Sequence, residues 1–310
     1  MPRRPRWSSR VFGVLAVLGF CAALHAQSAT PSRRTASGTW LRDAEAAIAH
    51  GKRADAERLA STRGASDPLA AVVLAELDDA RGKYQDAQTL LEPIAAREPT
   101  GEAALQLALL YRTTGKTAEA DRLLTAVLDA GSGSSDPAAL FRAGRAAHAL
   151  DRAKDAETLD LAAERAGADK IAVETELGGL FLEKYNPVDA LKSYTIVLAA
   201  DPQWAPADAG LARVLADDDP DKAAAAAAKA VTIDPDLDVP HLLLATLDID
   251  QDHDADATAE LNKVLAVNPS DLEAHAILAA MAYVKDNTAA YESEVASVLQ
   301  VNPHDGEVYR

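Results

Sequence analysis

KIAVETELGGLFLEKYNPVDALKSYTIVLAADP, residues 170–202, holds the pattern that decides the fold. Leu177-Gly178 is followed by Phe181. Pro187 breaks the run after Tyr185-Asn186, and Ala190, Tyr194 and Pro202 follow at helical spacing. A helix of about a dozen residues fits on either side of the break. Proline cannot continue a helix, and it biases the residue before it away from the helical region, so Pro202 marks the end of the unit. The small Ala190 lets two antiparallel helices approach closely. One such segment suits many helical hairpins, so its recurrence carries the argument.

The recurrence runs the length of the chain. The alanine that opens each second helix falls at Ala56, Ala87, Ala120, Ala156, Ala190, Ala223 and Ala257, with gaps of 31, 33, 36, 34, 33 and 34 residues. Closing prolines stand at Pro68, Pro99, Pro202, Pro235, Pro269 and Pro303; Pro137 is displaced by Gly131-Ser132-Gly133-Ser134-Ser135, and Asp169 takes the place of a proline. Between them, Gly51, Gly82, Gly115, Asp151, Asp218, Asp252 and Asp286 are expected to end each first helix and begin a tight turn. Apolar residues recur at three- and four-residue spacing, as in Leu105, Ala108, Leu109 and Leu261, Val264, Leu265. Residues 102–130 repeat the pattern well, with Tyr111, Gly115, Ala120 and Leu124 in register.

This spacing resembles the tetratricopeptide repeat, W-x2-L-G-x2-Y…A-x3-F…P with a period near 34. In residues 170–202, Glu174 stands where the pattern has Trp, Phe181 where it has Tyr, and Tyr194 where it has Phe. The resemblance implies an all-α, α-α superhelical solenoid of about eight helix-turn-helix units: 39–68, 69–99, 101–137, 138–169, 170–202, 203–235, 238–269 and 271–303. Residues 304–310 read as the start of a further unit, and repeat arrays need a polar terminal cap, so a fragment is expected. The first unit is expected to have a short opening helix. Tyr291 holds the small-residue place of the eighth, which predicts a splayed pair.

Upstream, Arg3, Arg4, Arg6 and Arg10 precede the apolar run VFGVLAVLGFCAAL, residues 11–24. A basic start and a short apolar core are the pattern of a secretory signal peptide, here 1–26, with an uncleaved anchor as the other reading. The chain is therefore expected to be exported, periplasmic or secreted, as a tetratricopeptide protein of the exported bacterial type. Residues 27–38 (QSATPSRRTASG) read as a disordered linker. Removing the leader removes Cys21, the one cysteine, and takes the formal charge from −17 to −21. Such a charge repels a phosphate backbone, and with 5% aromatic residues no stacking platform for bases is expected, so nucleic acid is excluded as a partner.

No G-x-x-x-x-G-K-[ST], H-E-x-x-H or G-x-S-x-G sequence occurs. His241 and His275 are 34 residues apart and read as solvated helix-start residues rather than metal ligands. The run Asp248, Asp250, Asp252, Asp254, Asp256 resembles the start of a calcium loop, but His253 and Ala259 occupy places that need glycine and glutamate. It reads as an acidic turn, and Asp217 to Asp221 likewise as turn and N-cap. No catalytic, cofactor or metal site is expected.

What remains is a surface. In the resembled family the first helices line a concave groove that holds a peptide or partner helix. Transferred to this chain, the groove includes Val72, Glu76, Leu105, Leu109, Arg112, Phe141, Arg145, His148, Thr175, Gly179, Leu182, Leu242, Thr246 and Tyr283. Arg112 and Arg145 are expected to pair with an acidic group on a partner. The reading is a non-catalytic protein-binding scaffold. The alternatives are the front of a larger exported enzyme, such as a hydrolase, and a structural component of an envelope assembly.

Overall fold

The computed structural model describes residues 31–64 and 67–309. The expected leader, 1–26, lies outside them. Sixteen helices follow one another in antiparallel pairs. They are α1 (Pro31–Ala49) with α2 (Arg53–Ser61), α3 (Pro68–Asp79) with α4 (Tyr84–Ala95), and α5 (Glu102–Thr113) with α6 (Thr117–Gly131). Next come α7 (Pro137–Ala149) with α8 (Ala153–Ala166), α9 (Lys170–Glu183) with α10 (Pro187–Ala200), and α11 (Ala205–Leu215) with α12 (Pro220–Ile233). The last are α13 (Asp238–Asp250) with α14 (Asp254–Val267), and α15 (Leu272–Val284) with α16 (Thr288–Val301), before a 3-10 turn at Glu307–Tyr309. No strand occurs among the described residues, and none of their helices is long and apolar enough to cross a membrane.

The pairing follows from the small residues. Ala56, Ala87, Ala120, Ala156, Ala190, Ala223 and Ala257 are all at 0% exposure, each in the seam of its own pair. At α10 the seam is tighter still: Tyr194 lays its ring against Gly178 on α9 and Gly210 on α11, where any Cβ would collide with it. Helix starts are fixed by aspartate. Asp67, Asp136, Asp169, Asp219 and Asp271 accept backbone N–H bonds of α3, α7, α9, α12 and α15.

Three expectations change. In the first pair it is the second helix, α2, that is short, at nine residues. Its partner α1 already begins at Pro31, inside the stretch read as linker, and proline is favoured at a first helical position. The eighth pair stays packed, with the Tyr291 ring against Tyr283 at 5.7 Å, because the larger side chain turns outward along the seam. In the turns, left-handed backbone occurs at Gly51, Gly82, Gly115, Asp151, Asp252 and Asp286, but the fifth unit uses Tyr185 (φ 56) and Asp218 is not in that conformation.

The pairs coil so tightly that the superhelix touches itself after five units. The Gly51 turn of the first unit abuts Ile233 and Asp234 at the end of the sixth. The Gly82 turn meets Asn268 at the end of the seventh, and the Gly115 turn meets Asn302 at the end of the eighth. Arg53 donates to Asp234 Oδ2 (2.8 Å) and to the Asp236 carbonyl (3.1 Å). His50 Nε2 is paired with Asp201 (2.8 Å), Tyr84 Oη donates to the Ser270 carbonyl (3.2 Å), and Asn268 Nδ2 donates to Tyr84 Oη (3.2 Å). The interior is therefore enclosed by two successive turns of one chain.

Candidate partner-binding surface

An ordinary helical core buries apolar side chains and keeps charges outside. Here the first helices carry buried charge. Glu45 on α1, Glu102 on α5, Arg145 and His148 on α7, Glu174 and Glu176 on α9, Asp208 on α11, His241 on α13 and His275 on α15 are all buried. Those groups meet across the superhelix axis: Glu45 in the first unit feels Glu76, Glu102 and Arg145, the last of them three units away. The odd-numbered helices thus form the inner wall.

The residues expected in the groove divide by burial. Val72, Leu105, Phe141 and Leu242 are at most 3% exposed and belong to the packing between helices. Glu76, Leu109, Arg112, Thr175, Gly179, Leu182 and Thr246 are half-buried, and Tyr283 is exposed. Thr175 and Thr246 spend their hydroxyls on the Ile171 and Leu242 carbonyls of their own helices. The two arginines expected to face a partner's acid already have one within the chain. Arg112 donates to Asp121 (2.7 Å), and Arg145, at 3% exposure, donates to Glu102 (2.7 Å). Asp121 lies in the same unit as Arg112, and Glu102 in the unit before Arg145.

His241 and His275 are not solvated. His241 is 2% and His275 9% exposed. Each contacts a glutamate on the following helix at 2.6 Å, Glu260 or Glu294, and a proline carbonyl of the preceding turn at 3.0 Å, Pro235 or Pro269. His148 lies between Glu176 (2.6 Å) and Glu183 (2.9 Å). Burial opposes its protonation, but the bonds to both glutamates prevail and raise its pKa to about 10. These three clamp first helices to their neighbours, and no group of acidic, histidine or cysteine residues among those described could hold a metal ion.

Sequence reasoning missed the acidic row. Burial is the largest cause raising Glu45, followed by Glu76. Burial also lifts Glu76 to about 8 and, with help from Asp238, Asp79 to about 7. Across the seam, burial and Asp238 lift Asp271 to about 7, and burial and Asp271 lift Glu273 to about 8. Glu45 Oε1, Glu76 Oε1 and Asp79 Oδ1 are buried without a hydrogen-bond partner. A cavity of about 90 Å³ opens at the seam, lined by Asp79, Asp238, Asp271 and Glu273 together with Arg53, His241 and Lys263, the last of which pairs with Glu260.

A family model described as tetratricopeptide repeat matches residues 214–281. No curated protein matches the sequence. Among solved structures, the Cut9-Hcn1 hetero-tetramer of APC/C superposes with a TM-score of 0.58 at 14% identity, over 90% of this chain and 56% of the other. Yeast Tom70 superposes at 0.52 and 16%, over 94% and 65%. A human IFIT1 dimer solved with PPP-AAAA superposes at 0.51 and 17%, over 84% and 67%. This chain therefore spans less than two thirds of the first two, and identities this low speak to the fold alone.

Proposed function

We propose that this tetratricopeptide-repeat protein is an exported, non-catalytic scaffold whose inner wall receives a peptide or helix of another protein. The observation that carries the reading is the concentration of buried charge on the first helices. Burying charge costs several kcal/mol per group unless something compensates it, so a solenoid that served only as a spacer would line its axis with apolar residues. Recognition is by shape and charge complementarity, with no bond made or broken. The tetratricopeptide fold supports binding in general, and export rests on the basic start and apolar run of residues 1–26.

The test is site-specific photocrosslinking in the native host. A benzophenone amino acid at Leu109 or Thr175, on first helices, is expected to trap a partner, while one at the exposed Thr89 or Thr195, on second helices, is not. Trapping from Thr89 and Thr195 alone would move the interface to the outer face. Export is read separately, from the mass of the mature chain: a start at Gln27 supports it, and an intact residue 1–26 segment on a protein recovered from the cytoplasm refutes it.

A further inference from the structure

The tight coil brings together carboxylates that are distant in sequence. Glu45 feels the charge of Glu76, and Glu76 that of Asp79; Asp79 in turn lines one cavity at the seam with Asp238, Asp271 and Glu273. Each interior base already pairs with an acid, although Arg53 Nε is buried without an acceptor. Arg145 is bound to Glu102 and Arg53 to Asp234. Asp238 and Asp271 each use one oxygen to accept a backbone N–H, from Val239 and Ala274, which leaves the second oxygen of each carboxylate for other contacts. Glu45 is only 5% exposed, yet its Oε1 has no donor; Glu76 Oε1 and Asp79 Oδ1 share that condition. A buried acceptor without a donor is a standing cost. The row is no metal site, because its members do not converge as ligands around one point. Its complement is an organic cation, whose several N–H groups can reach acceptors spread along a line.

Building on the reading of the inner wall as the binding face, we propose that the row from Glu45 to Glu273 is a receptor for arginine or lysine side chains on an extended segment of a partner protein, entering at the seam cavity beside Asp79. The cavity, about 90 Å³, is of the size of one such head group. A guanidinium there would supply the donor that Asp79 lacks. Because burial favours protonated Glu76 and Asp79 in the empty protein, binding would also expel protons to the solvent.

The probe is a fluorescein-labelled Gly-Arg-Gly-Arg-Gly peptide, with citrulline replacing arginine as its uncharged isostere, titrated into the full chain at about 150 mM salt, where exposed charges are screened. The arginine peptide is expected to bind at least about tenfold tighter than the citrulline one, the size of one charge-assisted bond. The triple variant Glu45→Gln, Glu76→Gln, Asp79→Asn is expected to lose that margin. An exterior variant with the same change in formal charge, Asp218→Asn, Asp221→Asn, Asp286→Asn, is expected to keep it. Circular dichroism verifies that both variants stay helical; the interior one should be at least as stable as the parent, since it removes unpaired buried acids. Equal loss in the two variants, or equal binding of the two peptides, overturns the proposal. Spermidine that binds tighter than the peptide also overturns it, in favour of a small polyamine. A partner trapped from Thr175 in the interior variant as efficiently as in the parent leaves the scaffold reading standing and refutes this one.

Discussion

Replacing Gly51 by alanine separates two effects that glycine serves in this chain. Gly51 has φ +69, and a Cβ there would lie 2.5 Å from the Ile233 carbonyl oxygen and 2.9 Å from Asp234 Cα. The left-handed backbone alone costs an alanine about 1–2 kcal/mol. The contact is with backbone, which cannot rotate away, so the seam must open. Opening it stretches the Arg53–Asp234 pair, and separating such a buried pair costs about 3–5 kcal/mol. With partial relaxation, Gly51→Ala should cost about 3–4 kcal/mol in total, the sum of the strain and roughly half the pair. Gly167→Ala is the control: Gly167 has φ +102 and open space around its missing Cβ, so only the strain of about 1–2 kcal/mol applies. Urea unfolding followed by circular dichroism measures both. Because repeat arrays can unfold in parts, hydrogen exchange at Asp234 and Asp236 locates the effect. Equal costs for the two variants, with exchange at Asp234 unchanged in Gly51→Ala, would refute the reasoning.

Gly210→Ala should destabilise, where an exposed helical Gly→Ala normally stabilises, because its Cβ meets the Tyr194 ring; Gly210→Ala with Tyr194→Leu should recover much of the loss, read by thermal melts. Stability should fall as pH rises from about 5 to 8. Glu76, Asp79, Asp271 and Glu273 are raised in the folded chain, so it binds more protons than the unfolded one in that window, at up to about 1.4 kcal/mol per unit for each group. His148, raised to about 10, acts in the same sense above its unfolded value; a melting temperature that increases from pH 5 to 8 would contradict both. His148→Phe should cost about 3–5 kcal/mol by stranding Glu176 and Glu183, whereas the double change with Glu176→Leu should cost less.

The pairing of helices was open to sequence reading because it depends on local signals. An alanine every 31 to 36 residues and a proline after each unit are consequences of how two helices fit, and all seven alanines lie in seams. The curvature was not legible, because it depends on how each pair tilts on the next. The sequence does carry its trace. Glycine holds the left-handed turn position at residues 51, 82 and 115, where the next superhelical turn presses against it. Aspartate or tyrosine holds it at residues 151, 185, 252 and 286. Asp201, Asp234, Asn268 and Asn302 precede the closing prolines and each accepts the N–H two residues on. Three of them receive those glycine turns.

Helix position locates the face of a groove without measuring how far it is closed. Arg145 was thus expected to be open to a partner, and is instead consumed by Glu102. Glu45, Asp79, Asp238, and the pair Asp271 and Glu273 come from four different units and gather only through the coil. His241 and His275 could have been read better. Each is followed nineteen residues later by a glutamate, Glu260 or Glu294, and that repeated spacing spans one helix pair.

The enclosure of the inner wall by successive turns is what both functional readings depend on, and one disulfide tests it. A Cβ at Gly82 would lie 3.6 Å from Ser270 Cβ, within the span of roughly 3.5–4.5 Å that a disulfide bridges. In a Cys21→Ser, Asn268→Ala background, which clears the side chain that a Cβ at Gly82 would otherwise meet, Gly82→Cys with Ser270→Cys should form an intramolecular bond under mild oxidation. It would appear as faster migration on a non-reducing gel and as one linked peptide pair in the mass spectrum. Failure to link, in a protein that remains helical with both thiols reactive to a small maleimide, would mean that the second and seventh units stand apart and the interior is an open groove.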